Sequence, residues 1–147
     1  MLTRLFIALA IVALSSEGVA AQQMCGDPPI APELPSVADM QQKSPAEAAA
    51  ARNGAFADIK RWQGQLKSYR ECLNATVDTD KRDLGEAQRA DKPDTKKMTK
   101  LQQEITDAGH AWDASVDDEE RVVNQWNAAG TAFCLRADTD HATCPKR

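Results

Sequence analysis

A chain of 147 residues with 22 acidic and 18 basic side chains carries a net charge of −4. That balance argues against nucleic acid as a partner, because such affinity comes from many Lys and Arg contacts to phosphate. Beyond residue 21 leucine stands only at Leu34, Leu66, Leu73, Leu84, Leu101 and Leu135; the apolar supply is thin and alanine-heavy, a poor basis for a multilayered core.

The first element is an export signal. Arg4 supplies positive charge, and Leu5 to Leu14 form an apolar run of about ten residues, the length of a signal-peptide core and short of the roughly 20 that span a bilayer. Val19-Ala20-Ala21 offers small or modest side chains for a cut before Gln22. Residues 1–21 therefore read as a cleaved signal peptide, and residues 22–147 as one soluble domain with no membrane span, periplasmic or secreted. Gln22-Gln23-Met24 lacks the residues that lipidation of Cys25 needs. Four cysteines, Cys25, Cys72, Cys134 and Cys144, suit an oxidising compartment and two disulfides.

Residues 22–45 form an arm. Pro28, Pro29, Pro32 and Pro35 forbid a regular helix or central strand, so the arm is extended and polyproline-like. Ser36 caps a short helical turn reaching Gln41 or Gln42. Ser44, Pro45 and Glu47 then give a cap, a first-position proline and the reciprocal acid of a long helix.

Residues 46–134 read as two helices. The first places Phe56, Ile59, Trp62, Leu66, Tyr69, Leu73 and Val77 at steps of 3 or 4, the repeat of a coiled-coil seam. The pattern thins through Asp78, Asp80 and Asp83, where a break in the helix would fall. The turn falls near residues 91–94, where Asp91 or Asp94 caps the second helix and Pro93 lies near its start. That helix carries Met98, Leu101, Ile105, Ala108, Trp112, Val116, Glu119, Val122, Trp126, Ala129 and Phe133 at the same steps. A tight turn makes the helices antiparallel, so Leu84 faces Leu101, Leu73 faces Trp112, Tyr69 faces Val116, Ile59 faces Trp126 and Phe56 faces Ala129. The fold class is all-α: a long antiparallel helical hairpin, coiled-coil-like, with an extended proline-rich arm and a tail, residues 135–147, closed by disulfide.

In this register Cys72 lies opposite Asp113 and Cys134 opposite Ala51, about 30 Å apart along the axis. A disulfide needs Cα atoms within about 7 Å, so Cys72 and Cys134 cannot pair. Two connectivities remain: Cys25 with Cys72 and Cys134 with Cys144, or Cys25 with Cys134 and Cys72 with Cys144. The first is favoured, because the arm at about 3.1 Å per residue reaches back to Cys72 and Cys134 to Cys144 is a short local loop.

Cys25, the four prolines, a helical turn and a helix reaching Tyr69-Arg70-Glu71-Cys72-Leu73 resemble a group of uncharacterised small exported helical proteins of proteobacteria. Those share a Cys, a proline-rich arm and a helix closing on Tyr-x-x-Cys-Leu. The likeness covers residues 25–77. It implies an exported compartment and a Cys25 to Cys72 disulfide, and lends no activity. Gln125-Trp126 with Cys134 eight residues after the tryptophan resembles the periplasmic lysozyme-inhibitor type, although Ala129 and Gly130 stand where an aromatic-arginine pair is expected.

Chemical constellations are few. Asp78, Asp80, Asp83 and Glu86 resemble a calcium loop, but the twelfth position holds Arg89 where a bidentate Glu is needed. Asp117, Asp118, Glu119 and Glu120 read as a charged face, with Glu119 on the seam, meeting Lys67 or sitting at a gap. Asp138, Asp140 and His141 fall short of the roughly four converging ligands of a zinc site. Asp107 can orient His110, but Ser115 points about 140° away round the helix. No catalytic residue, cofactor site or metal site is assigned. The expected function is a non-enzymatic structural or protein-interaction module, with Trp126, Val123 and Val116 as the candidate interaction surface, an unidentified protein partner and homodimerisation into a four-helix bundle. The alternatives are a periplasmic small-ligand or metal-binding protein and a lysozyme-inhibitor-like envelope protein.

Overall fold

The computed structural model describes residues 25 to 139 and Cys144; the expected signal peptide lies outside them. Helices account for all the regular structure among the described residues: α1, Val37–Gln42; α2, Pro45–Arg89; and α3, Thr95–Cys134. Residues 28–36, which hold the four prolines, carry no helix or strand.

Local chemistry starts each helix. At α1 the Ser36 hydroxyl accepts from the Asp39 N–H at 3.1 Å while the Asp39 carboxylate accepts from the Ser36 N–H at 2.9 Å. The Ser36 hydroxyl, its N–H and Lys43 together hold the Asp39 carboxyl down at about 2. Ser44 and Glu47 form the same reciprocal cap on α2, with Pro45 just inside it. Asp94 caps α3 by accepting from the N–H groups of Lys96 and Lys97, and Pro93 sits outside the cap, where its missing donor costs nothing. α2 runs unbroken for 45 residues through Asp78 to Asp83, about 68 Å at 1.5 Å per residue.

The two long helices pack against each other through three clusters. Ala48 with Ala129, Ala132 and Phe133 joins the start of α2 to the end of α3, and Met40 of α1 completes this group. Ile59, Trp62 and Leu66 meet Val122 and Trp126 further along. Tyr69 and Leu73 meet Ala108 and Trp112. Rising residue numbers on α2 therefore meet falling numbers on α3. Burial recurs every seventh residue: at Ala48, Ala55, Trp62, Tyr69 and Thr76, at Ile59, Leu66, Leu73, Asp80 and Ala87, and on α3 at Leu101, Ala108, Ser115, Val122 and Ala129.

This phase corrects several expectations by one residue. Ala55 is buried and Phe56 is 49% exposed; Ser115 is 2% exposed and Val116 is 43% exposed. Neighbouring residues differ by about 100° round a helix, so a small rotation exchanges which of two faces the partner. Thr76 likewise takes the buried place expected of Val77, which is half-buried. Glu119 does not meet Lys67. It accepts from Arg70 at 2.6 Å and from Gln63 at 3.1 Å, and Lys67 lies instead 3.8 Å from Glu71 on its own helix.

Disulfides join Cys25 to Cys72 and Cys134 to Cys144. The first pins the arm along α2, where the Trp62 indole N–H donates to the Pro29 carbonyl at 3.0 Å and Ala31 and Leu34 pack on the Trp62 cluster. At the other end the Arg136 guanidinium donates to the Met40 and Lys43 carbonyls at 2.6 and 2.7 Å. These are acceptors that the end of α1 leaves unpaired, so Arg136 anchors α1 to the end of α3.

Candidate interaction surface

α3 presents two flanks beside its buried column. One faces the arm across shallow clefts and includes Ala111, Ala114, Asp118 and Gln125. The other carries Ile105, Gly109, Trp112, Val116, Glu119, Val123, Trp126 and Gly130. Val116 and Asp118 are two residues apart, about 200° round the helix, so the arm leaves this second stripe open.

All three proposed surface residues lie on the open stripe. Val116 is 43% and Val123 38% exposed. Trp126 is half-buried: one side packs on the Ile59 cluster, its ring lies 6.0 Å from that of Phe56, and Arg52 sits 5.5 Å over it. Trp112 is half-buried too, against Leu73, with Arg70 5.8 Å over its ring. The two tryptophans thus divide their surfaces between the seam and the open flank.

Arg70 organises the middle of this face. Its guanidinium donates to the Ser115 hydroxyl at 2.8 Å, the Ser115 carbonyl at 2.7 Å and Glu119 at 2.6 Å. The Ser115 hydroxyl in turn donates to the Trp112 carbonyl at 2.6 Å. A polar residue sits deep in the seam because Arg70 reaches across to satisfy it. Sequence reasoning misses this network: Arg70 stands out there only within the Tyr-x-x-Cys motif, and its partners lie 45 and 49 residues away.

The remaining constellations do not converge. No cluster of three or more His, Cys, Asp or Glu side chains able to hold a metal occurs among the described residues. Asp80 turns into the seam and is 7% exposed; burial first, then the charges of Glu104 and Asp83, push its carboxyl up against the opposing pull of Lys100. Asp138 is paired with Arg136 at 2.9 Å, while Asp140 and His141 lie outside the described residues. Asp107 accepts from Gln103 at 2.8 Å, and His110 is exposed at the mouth of a cleft beneath the arm. No described helix is long and apolar enough to cross a membrane, and two disulfides are compatible with an oxidising compartment. No protein-family model, curated protein or solved structure matches this chain.

Proposed function

We propose that this chain is an exported, non-enzymatic protein-interaction module: an antiparallel, coiled-coil-like hairpin whose open α3 stripe seats a second copy of itself. The observation that carries the reading is the stripe's order. About the midpoint between Glu119 and Glu120, Val116 mirrors Val123 and Gly109 mirrors Gly130, with Trp112 mirroring Trp126 to within one residue. A two-fold interface places the same patch on both subunits. Two α3 helices laid antiparallel would meet valine to valine and glycine to glycine, with a four-helix bundle as the product. Neither glycine is crowded by its own chain, since a Cβ at either would meet nothing within 4 Å. Each costs about 1 kcal/mol of helix propensity relative to alanine, which close approach of a partner helix offsets. Arg70 neutralises Glu119 beside the axis.

A non-enzymatic role is supported by the state of the polar groups. The Ser115 hydroxyl is committed to Trp112 and Arg70 and is no nucleophile. Sedimentation at tens of micromolar tests the proposal: the wild type should be a dimer, since even roughly micromolar affinity associates there. Val116→Arg with Val123→Arg should give a folded monomer whose melt no longer depends on concentration and falls only to that of the wild type diluted below its dimer affinity, both sites being surface positions of the single chain. A wild type that sediments only as monomer overturns the reading. The small-ligand reading rests on a separate feature, the cleft beneath the arm.

A further inference from the structure

Charge is spread unevenly along the hairpin. Residues 81–100 close α2, make the turn and open α3; they hold seven basic and four acidic side chains, a net of +3. The other described residues carry eight basic against sixteen acidic side chains, a net of −8. From Leu101 to Glu120 α3 has seven acidic residues and no Lys or Arg. The rod therefore has a cationic tip and an anionic shaft.

Folding does not account for these cations. Lys81, Arg89, Lys92, Lys96 and Lys97 are exposed and form no ion pair among the described residues. Arg82 and Lys100 pair only with Asp83 and Glu104 of their own helices, at 3.1 and 3.5 Å. Lys96 and Lys97 stand in the first turn of α3, the positive end of the helix dipole, where a cation is disfavoured, and that turn holds no acidic residue. Lys96 and Lys100 are like charges four residues apart on one helix, a destabilising arrangement. The large exposed apolar side chains, from Ile30 to Leu135, all lie outside residues 81–100.

We propose that the tip of the hairpin docks end-on to a surface of anionic lipid headgroups, with its lysines and arginines against the phosphates. Lys81 is eight residues from Arg89, so the cations lie within about 12 Å of the turn. Glu104, the first acid of the shaft on α3, lies ten residues beyond Asp94, about 15 Å away. Charges are screened over about 8 Å at physiological salt. A rod standing on its tip thus presents cations to the headgroups and holds the shaft acids out of their reach, whereas a rod lying flat brings its net −8 against the surface. A plane meets the tip alone; a long nucleic acid running along the shaft meets the same repulsion. With no large apolar side chain exposed at the tip, contact stops at the headgroups. Val116 lies 22 residues beyond Asp94, about 33 Å along α3, so the tip docks whether or not the chain dimerises.

Co-sedimentation of the disulfide-bonded protein with phosphatidylcholine vesicles, with and without about one third phosphatidylglycerol, tests it. The anionic vesicles should bind at least about tenfold more tightly than the neutral ones. Binding should vanish between about 0.1 and 1 M salt, as the screening length falls from roughly 10 to 3 Å. Lys92→Glu with Lys96→Glu and Lys97→Glu should lose at least about tenfold in affinity with no loss of thermal stability, because acids suit a first helical turn. Lys60→Glu with Arg61→Glu and Lys67→Glu changes the net charge equally on the shaft, and should lose less than about threefold because those residues stand beyond the screening length. Equal binding to both vesicles, retention of affinity by the tip variant, equal losses in the tip and shaft variants, tighter binding to a DNA duplex than to anionic vesicles, or no pelleting at about 1 mM lipid in 0.1 M salt overturns the proposal.

Discussion

The two disulfides close loops of very different length, and this predicts an order of stabilities. Cys25 to Cys72 spans 47 residues and Cys134 to Cys144 spans 10. With loop-closure entropy growing as the logarithm of length, the long loop contributes about 4 kcal/mol and the short one about 2.7 kcal/mol. Replacing Cys25 and Cys72 by serine should therefore lower the urea midpoint by about 2 M, for a slope of about 2 kcal/mol per molar. The Cys134 and Cys144 pair should lower it by about 1.3 M on the same slope. Urea titration followed by tryptophan fluorescence reads both, because Trp62 sits at 2% exposure under the arm and donates to Pro29. The double serine variant of the long loop should also redden Trp62 emission before global unfolding as the arm lifts away. If the short-loop variant proves the less stable, or both lose equally, the entropic argument is refuted, and the arm is held by its contacts with Trp62 alone.

Asp80 is 7% exposed and its Oδ2 has no hydrogen-bond partner, so Asp80→Leu should stabilise the protein by about 1 to 3 kcal/mol at pH 7. Its folded pKa is raised. The wild-type penalty is therefore full above that raised value and fades as pH falls towards the ordinary value of about 3.9, so the gap between variant and wild type must narrow on acidification; a gap that widens sinks the assignment. Arg70→Ala removes three cross-helix hydrogen bonds from a side chain 17% exposed and should cost about 2 to 3 kcal/mol, whereas Glu119→Gln, which leaves both Ser115 bonds in place, should cost about 1 kcal/mol. Chemical denaturation of the pair decides the matter, and equal losses would contradict the central role given to Arg70.

Much of this protein is legible in its sequence because the signals are local. Ser36, Ser44, Glu47 and Asp94 accept from N–H groups within three residues of themselves, and Pro45 presets the first helical residue of α2, so helix starts follow from short stretches of chain. The four prolines exclude a helix from the arm wherever the arm lies. The spacing of apolar residues marks two long helices. Tertiary structure decided what depends on rotation and reach. Periodicity narrows a seam to adjacent residues and does not choose between Ser115 and Val116, because the phase is set by how α2, α3 and the arm press on one another. That one-residue turn puts Val116 and Phe56 on the surface and buries a serine whose hydroxyl donates to the Trp112 carbonyl of its own helix and accepts from Arg70 across the seam. The cleft beneath the arm, the Glu119 pairing and the grip of Arg136 on carbonyls 93 and 96 residues away have no local signature. Each joins groups far apart in sequence, and a hydrogen bond depends on where two atoms finally lie, not on their separation along the chain.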